Sequence, residues 1–238
     1  MKFKNNIVFN TAFENIKDIR FYPYVGNHFP SQQKRILVFA HNIYCPPEIF
    51  ESEQLRKSSK TFHADTLEQN TYQHGLWTRA FRNFIRGSLS ISENYTSNSN
   101  RDVIDKIDSF VEKISYTNYI NDLVSSDNAN NINVNSDLVN KSHLINNELI
   151  KILDATHIVC WGKNVFNYII SQPEIIISER ISNFGEIAGL QNKKGFEYVK
   201  IKTESKEIHV LKVFHPSMPS FGVNNKDTHS IMNWFYNL

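Results

Sequence analysis

Four short apolar runs, at residues 35–40, 114–119, 157–161 and 208–214, alternate along the chain with stretches in which apolar residues recur every three or four positions. Short apolar runs bounded by turn residues predict buried strands, and the longer period predicts helices. The helical stretches are 64–84, 103–113, 138–153, 163–170 and 228–238. Strands alternating with helices predict parallel βαβ units. The expected fold is α/β: three α/β/α layers with a central, mostly parallel sheet of about four strands.

Two segments break the rhythm. Residues 121–140 are crowded with Asn, Ser and Asp, which predicts an exposed surface loop. Residues 174–202 hold two β-rich pieces separated by the turn-like Gln191-Asn192-Lys193-Lys194-Gly195, which predicts an antiparallel insertion near the sheet edge. No repeat or linker divides the chain, so residues 1–238 are expected to form one domain.

Composition narrows the class. A hydrophobic content of 40%, with 17 Phe and 10 Tyr, is ample for a packed core. No apolar run has the length of a membrane span, and the first residues lack the apolar stretch of a signal peptide, so a cytoplasmic protein is expected. The net charge of +2 permits a local phosphate-binding patch without demanding one. Two cysteines, Cys45 and Cys160, are too few for a disulfide framework or a four-cysteine metal or iron–sulfur site. His63 with Asp65, and His28 with His41, lack metal-ligand spacing, so no metal or cofactor is expected. A phosphate-cradling glycine loop and a nucleophile elbow are both missing, which disfavours a kinase or a serine hydrolase.

The candidate chemistry lies at the strand ends. The last strand breaks into His215-Pro216-Ser217-Met218-Pro219-Ser220-Phe221-Gly222, where two prolines stiffen a loop that presents an imidazole and a hydroxyl. In open α/β sheets, ligands bind at the carboxyl ends of the strands. Asn42 and Tyr44, Asn118, and Gly162-Lys163-Asn164 follow the other three runs, so four strand ends deliver polar groups to one edge. Each has a bland structural reading alone; the set favours a site. Arg79, Arg82 and Arg86 share a helix face that could track phosphates but more often is a solvated stripe, with Trp77, Phe81 and Phe84 as core anchors between them.

These strand ends resemble the uracil-DNA glycosylase superfamily. His215-Pro216-Ser217 with Met218-Pro219-Ser220 is similar to its second active-site loop. Ala40-His41-Asn42-Ile43-Tyr44 stands where the family has its water-activating loop, and Asn118 matches its base-reading asparagine. Tyr22-Pro23-Tyr24-Val25-Gly26 and Trp161-Gly162-Lys163 look like pieces of bacterial glycosylase-like proteins. The resemblance implies a monomeric hydrolase that removes uracil or a related damaged base from single- or double-stranded DNA after flipping it. His215 would donate to the oxyanion of the departing base, Asn42 would hold the water, and Asn118 would read the Watson–Crick edge. His41 and Tyr44 would line the base, Tyr44 against its 5-position, and an aromatic ring would stack on it. Ser217 would meet a flanking phosphate, Met218 or Phe221 would wedge the stack, and Lys163 would contact the DNA.

The departures carry consequences. Asn42 replaces the family's usual water-activating Asp, His41 its Gln and Ala40 its Gly. An amide orients water but takes no proton from it, so a lower rate is expected. Two alternatives follow: a protein of the same fold that binds a nucleobase, nucleotide or nucleic acid without cleaving it, and an interaction protein whose pocket became structural.

Overall fold

The computed structural model describes residues 3, 5–45, 59–73, 75, 78–125, 134–203 and 206–238, with Tyr44, Cys45, Ser59 and Ser125 described by their backbone alone. Nine strands are described: β1 (Tyr24–Val25), β2 (Ile36–Ala40), β3 (Ile43–Cys45), β4 (Ile114–Asn118), β5 (Leu123–Ser125), β6 (His157–Trp161), β7 (Ile176–Ile181), β8 (Glu197–Lys202) and β9 (Glu207–Val213). The described α-helices are α1 (Asn10–Glu14), α2 (Phe62–Tyr72), α3 (Arg79–Leu89), α4 (Arg101–Val111), α5 (Ser136–Ile152), α6 (Lys163–Ile170) and α7 (Lys226–Asn237).

Seven strands form one mixed sheet in the order β1-β4-β2-β6-β9-β8-β7, and β3 pairs with β5 in a second, two-stranded sheet. The expectation of about four mostly parallel strands is therefore corrected to seven in a mixed sheet. The four apolar runs do form β2, β4, β6 and β9, which are mutually parallel neighbours. The additional strands are antiparallel: two-residue β1 on β4, and β8 and β7 beyond β9. β1 is too short to leave a period. The two β-rich pieces expected in 174–202 are β7 and β8, antiparallel at the edge as expected, but they join the main sheet, and β7 is almost wholly exposed. The 174–202 segment thus extends the sheet.

Alternation along the central strands builds two cores. Val38, Ala40, Val159, Trp161, Leu211 and Val213 face one layer, packed with side chains of α2, α3, α4 and α7. Leu37, Phe39, Ile158, Cys160, Ile208 and Val210 face the other, packed with α1, α5 and α6. Strands buried on both faces read as continuous apolar runs, which is why all four were visible in the sequence. Each Val, Leu, Ile or Phe among them contributes about 1.5–3 kcal/mol by leaving water.

Three segments differ from expectation. The 64–84 stretch is two helices, because Gln73 is extended (φ −85°, ψ 143°) and the Thr78 hydroxyl donates to its carbonyl at 2.6 Å. Residues 121–140 are not all surface loop. Asn121 is buried, accepting from the backbone N–H groups of Arg20 and Phe21 and donating to the Phe21 carbonyl. β5 follows, residues 126–133 lie outside the described set, and α5 begins at Ser136 with Asn135 capping it. The arginine stripe is not a solvated face: Arg82 and Arg86 are only 9% and 6% exposed, although Arg79 is exposed. Arg86 donates to Asn94, Asn224 and the carbonyls of Ile91 and Ser92, tying two loops to α3. Phe81 and Phe84 are core residues as expected, whereas Trp77 lies outside the described residues.

Candidate functional site

The four parallel strands end side by side, in the order β4, β2, β6, β9. Ala40 is level with Asn118, and Trp161 with Val213. Pairing continues past the strands: Tyr119 N–H donates to the Ala40 carbonyl at 2.8 Å, and Ile120 N–H to the His41 carbonyl at 2.9 Å. The loop bearing His41 and Asn42 is thereby held beside the end of β4. With strands about 4.8 Å apart, the outer two of four neighbours are separated by roughly 14 Å.

Asn118 is 5% exposed at the end of β4. Its Nδ2 lies 3.0 Å from Nε2 of His63, in the first turn of α2, and His63 Nδ1 lies 2.9 Å from the Tyr22 carbonyl. Rings of Phe21, Phe62 and Tyr116 stand edge-on to His63. Phe21 and Tyr116 are buried, so Phe62 is the half-buried ring of the three. Burial pushes the His63 pKa down to about 4.

On the next strand end, both side-chain amide atoms of Asn42 and Nε2 of His41 are buried without a hydrogen-bond partner among the described residues, as is the indole nitrogen of Trp161 at the end of β6. Buried polar atoms are almost always paired, so several orphans at adjacent strand ends mark a place suited to a polar ligand. His41 stacks on Tyr168. Burial lowers its pKa; the neighbouring Asn42 amide opposes that fall without reaching hydrogen-bond geometry.

His215 follows β9 after one residue and stands edge-on to the Trp161 indole, with ring centroids 5.8 Å apart. Its Nδ1 lies 2.8 Å from the Ser217 hydroxyl and accepts the Ser217 backbone N–H at 3.4 Å. A backbone N–H only donates, so Nδ1 carries a lone pair and the proton of the neutral ring sits on Nε2. Burial lowers the His215 pKa, and His41 lowers it further. The loop is braced from below by Asn83 of α3, whose Nδ2 donates to the Pro216 carbonyl at 2.8 Å. Ser217 was expected on a phosphate; here its hydroxyl engages His215.

The DNA-contact expectations divide. Met218 is 53% exposed at the loop tip. Phe221 is fully buried and stacks on Phe196, so the surface-wedge expectation for it is corrected. Lys163 is exposed in the first turn of α6, directly after Gly162, whose φ of 97° favours glycine. The Tyr44 backbone pairs with Val124, and its side chain lies outside the described residues.

Sequence reasoning did not assign His63, Phe62, Trp161 or Asn83 to the site. Trp161 closes the run 157–161, so its place at the edge was legible; for His63, Phe62 and Asn83 the only sequence signal is residue type, and their proximity to the strand ends arises from helix placement. Two cavities, of about 580 and 470 Å³, lie against α4 and beneath α5 and α6, and no strand-end residue named above lines them. The chain matches no known family model and no curated protein.

Proposed function

We propose that the protein is a DNA glycosylase that hydrolyses the N-glycosidic bond of uracil or a related damaged base. One observation carries the reading. The half-buried imidazole of His215 has its Nδ1 occupied by the Ser217 backbone N–H, which leaves a neutral Nε2–H as a donor. Cleaving the bond between C1′ and the base nitrogen sends the electron pair into the base, where an oxygen becomes anionic. A neutral, preorganised donor at that oxygen stabilises the transition state without placing a new charge beside the sugar cation. Water adds to the cation and its proton leaves to solvent or to the departing base. Asn42, whose amide atoms have no partner among the described residues, would orient that water. Asn118 reads the base edge and Phe62 offers the stacking ring. Met218 supplies the apolar wedge and Lys163 a cation for the DNA backbone. On this reading the partner is DNA with a flipped base, met by a cytoplasmic monomer.

The test is release of uracil from a single- or double-stranded oligonucleotide, leaving an alkali-labile abasic site. No release at high protein concentration and neutral pH would sink the proposal. A second reading, a base-binding protein without hydrolysis, is favoured by one observation: the residue beside the water position is the amide Asn42, which accepts no proton. Salt-dependent binding of uracil-containing DNA without excision would establish it.

A further inference from the structure

We infer that His63 is a positioning residue that locks the Asn118 amide in one orientation, so that the pocket accepts bases with a lactam edge, N–H beside C=O, and rejects cytosine. The inference rests on Asn118 reading the base, as proposed above, and adds what determines the sense of that reading.

The chain of donors and acceptors leaves one solution. The Tyr22 carbonyl can only accept, so the hydrogen bond at 2.9 Å places a proton on His63 Nδ1. His63 is 1% exposed and ringed by three aromatic side chains, which leaves the imidazole neutral and Nε2 a bare lone pair. Only an N–H satisfies that lone pair, so the Asn118 atom at 3.0 Å is the amide nitrogen. Turning the amide over would set its oxygen against the imidazole lone pair in a buried site, losing the hydrogen bond and adding repulsion.

The fixed amide keeps Oδ1 and one N–H for a ligand. Uracil offers N3–H to the oxygen and O4 to the N–H. Cytosine offers the reverse pattern, a bare N3 and an amino donor at position 4. An unrestrained asparagine serves either base by rotating its amide. With rotation blocked, cytosine meets acceptor against acceptor and donor against donor. Deamination of cytosine converts the rejected edge into the accepted one, so the selectivity arises from an imidazole that never touches the base.

Two measurements on the full chain test this. Nitrogen-15 NMR at pH 7 should show His63 as the neutral Nδ1–H tautomer; an Nε2–H tautomer or an imidazolium overturns the lock. Binding of oligonucleotides carrying a single uracil or cytosine should favour uracil in the wild type. His63→Leu should reduce that preference at least tenfold. His63→Gln should restore most of it, because its amide oxygen accepts from Asn118 while its amide nitrogen donates to the Tyr22 carbonyl. An unchanged preference in folded His63→Leu, or no difference between the Leu and Gln variants, overturns the inference. If the wild type binds neither oligonucleotide, the base-reading role fails, while the tautomer still decides whether the amide is fixed.

Discussion

A β-carbon added to Gly87 of α3 would stand 2.8 Å from the ring of Phe221. The absent side chain lets the loop that begins at His215 settle onto the helix, where Phe221 is buried and the Thr228 hydroxyl donates to its carbonyl at 2.7 Å. Gly87→Ala would improve helix propensity by about 1 kcal/mol, but overpacking a close contact typically costs about 1–3 kcal/mol. The expected outcome is a modest net loss of stability in urea unfolding, with a larger fall in uracil release because the His215–Ser217 arrangement shifts.

His215→Ala removes the proposed oxyanion donor. Removing one such donor costs about 10²–10³ in rate. Single-turnover uracil release should fall by that factor while thermal stability changes little. An unchanged rate takes His215 out of the mechanism.

The pH profile of release follows from the same ring. His215 works in its neutral form, and burial with the neighbouring His41 lowers its pKa from the ordinary 6.5. Activity should therefore stay flat through neutral pH and fall only on the acid side, below 6.5. A rise in rate on acidification would contradict the neutral-donor role.

Asn42→Asp offers a gain-of-function test. A positioned carboxylate takes the proton from water, and general-base catalysis contributes about 10²–10⁴. Even partial placement should raise the single-turnover rate at least tenfold near pH 7. If the variant is folded and no faster, Asn42 does not hold the water.

The stability of the fold also senses pH through His63. Its pKa is depressed from 6.5 unfolded to about 4 folded, so the unfolded chain binds more protons between those values. The stability contribution is intact above pH 6.5 and is lost as pH falls toward 4, by roughly 3 kcal/mol. Urea unfolding of wild type and His63→Gln across pH 4–7 should show a shallower acid loss in the variant.

The four strand-end positions lay in the sequence because each follows an apolar run buried on both faces, a pattern that neighbouring residues alone produce. His215, Asn118 and Asn42 were legible for that reason. The outer strands were legible in part: residues 174–202 read as an antiparallel β-rich insertion near the edge and form β7 and β8, whereas two-residue β1 left no pattern. The burial of Arg82 and Arg86 was equally hidden, since a basic stripe looks the same whether it faces water or the loops that satisfy Arg86.

Local pattern thus sufficed for the class of fold, the parallel centre of the sheet and the loop carrying His215, because periodicity and proline stiffness act over a few residues. Which groups complete those strand ends was decided in three dimensions. His63 and Asn118 are 55 positions apart, and only the seating of α2 against β4 brings an imidazole lone pair to the amide. Phe221 looked like a free apolar tip until a glycine one helix away proved to be its seat. Hydrogen-bond direction and steric room are properties of pairs. Neither is written at a single position in the chain.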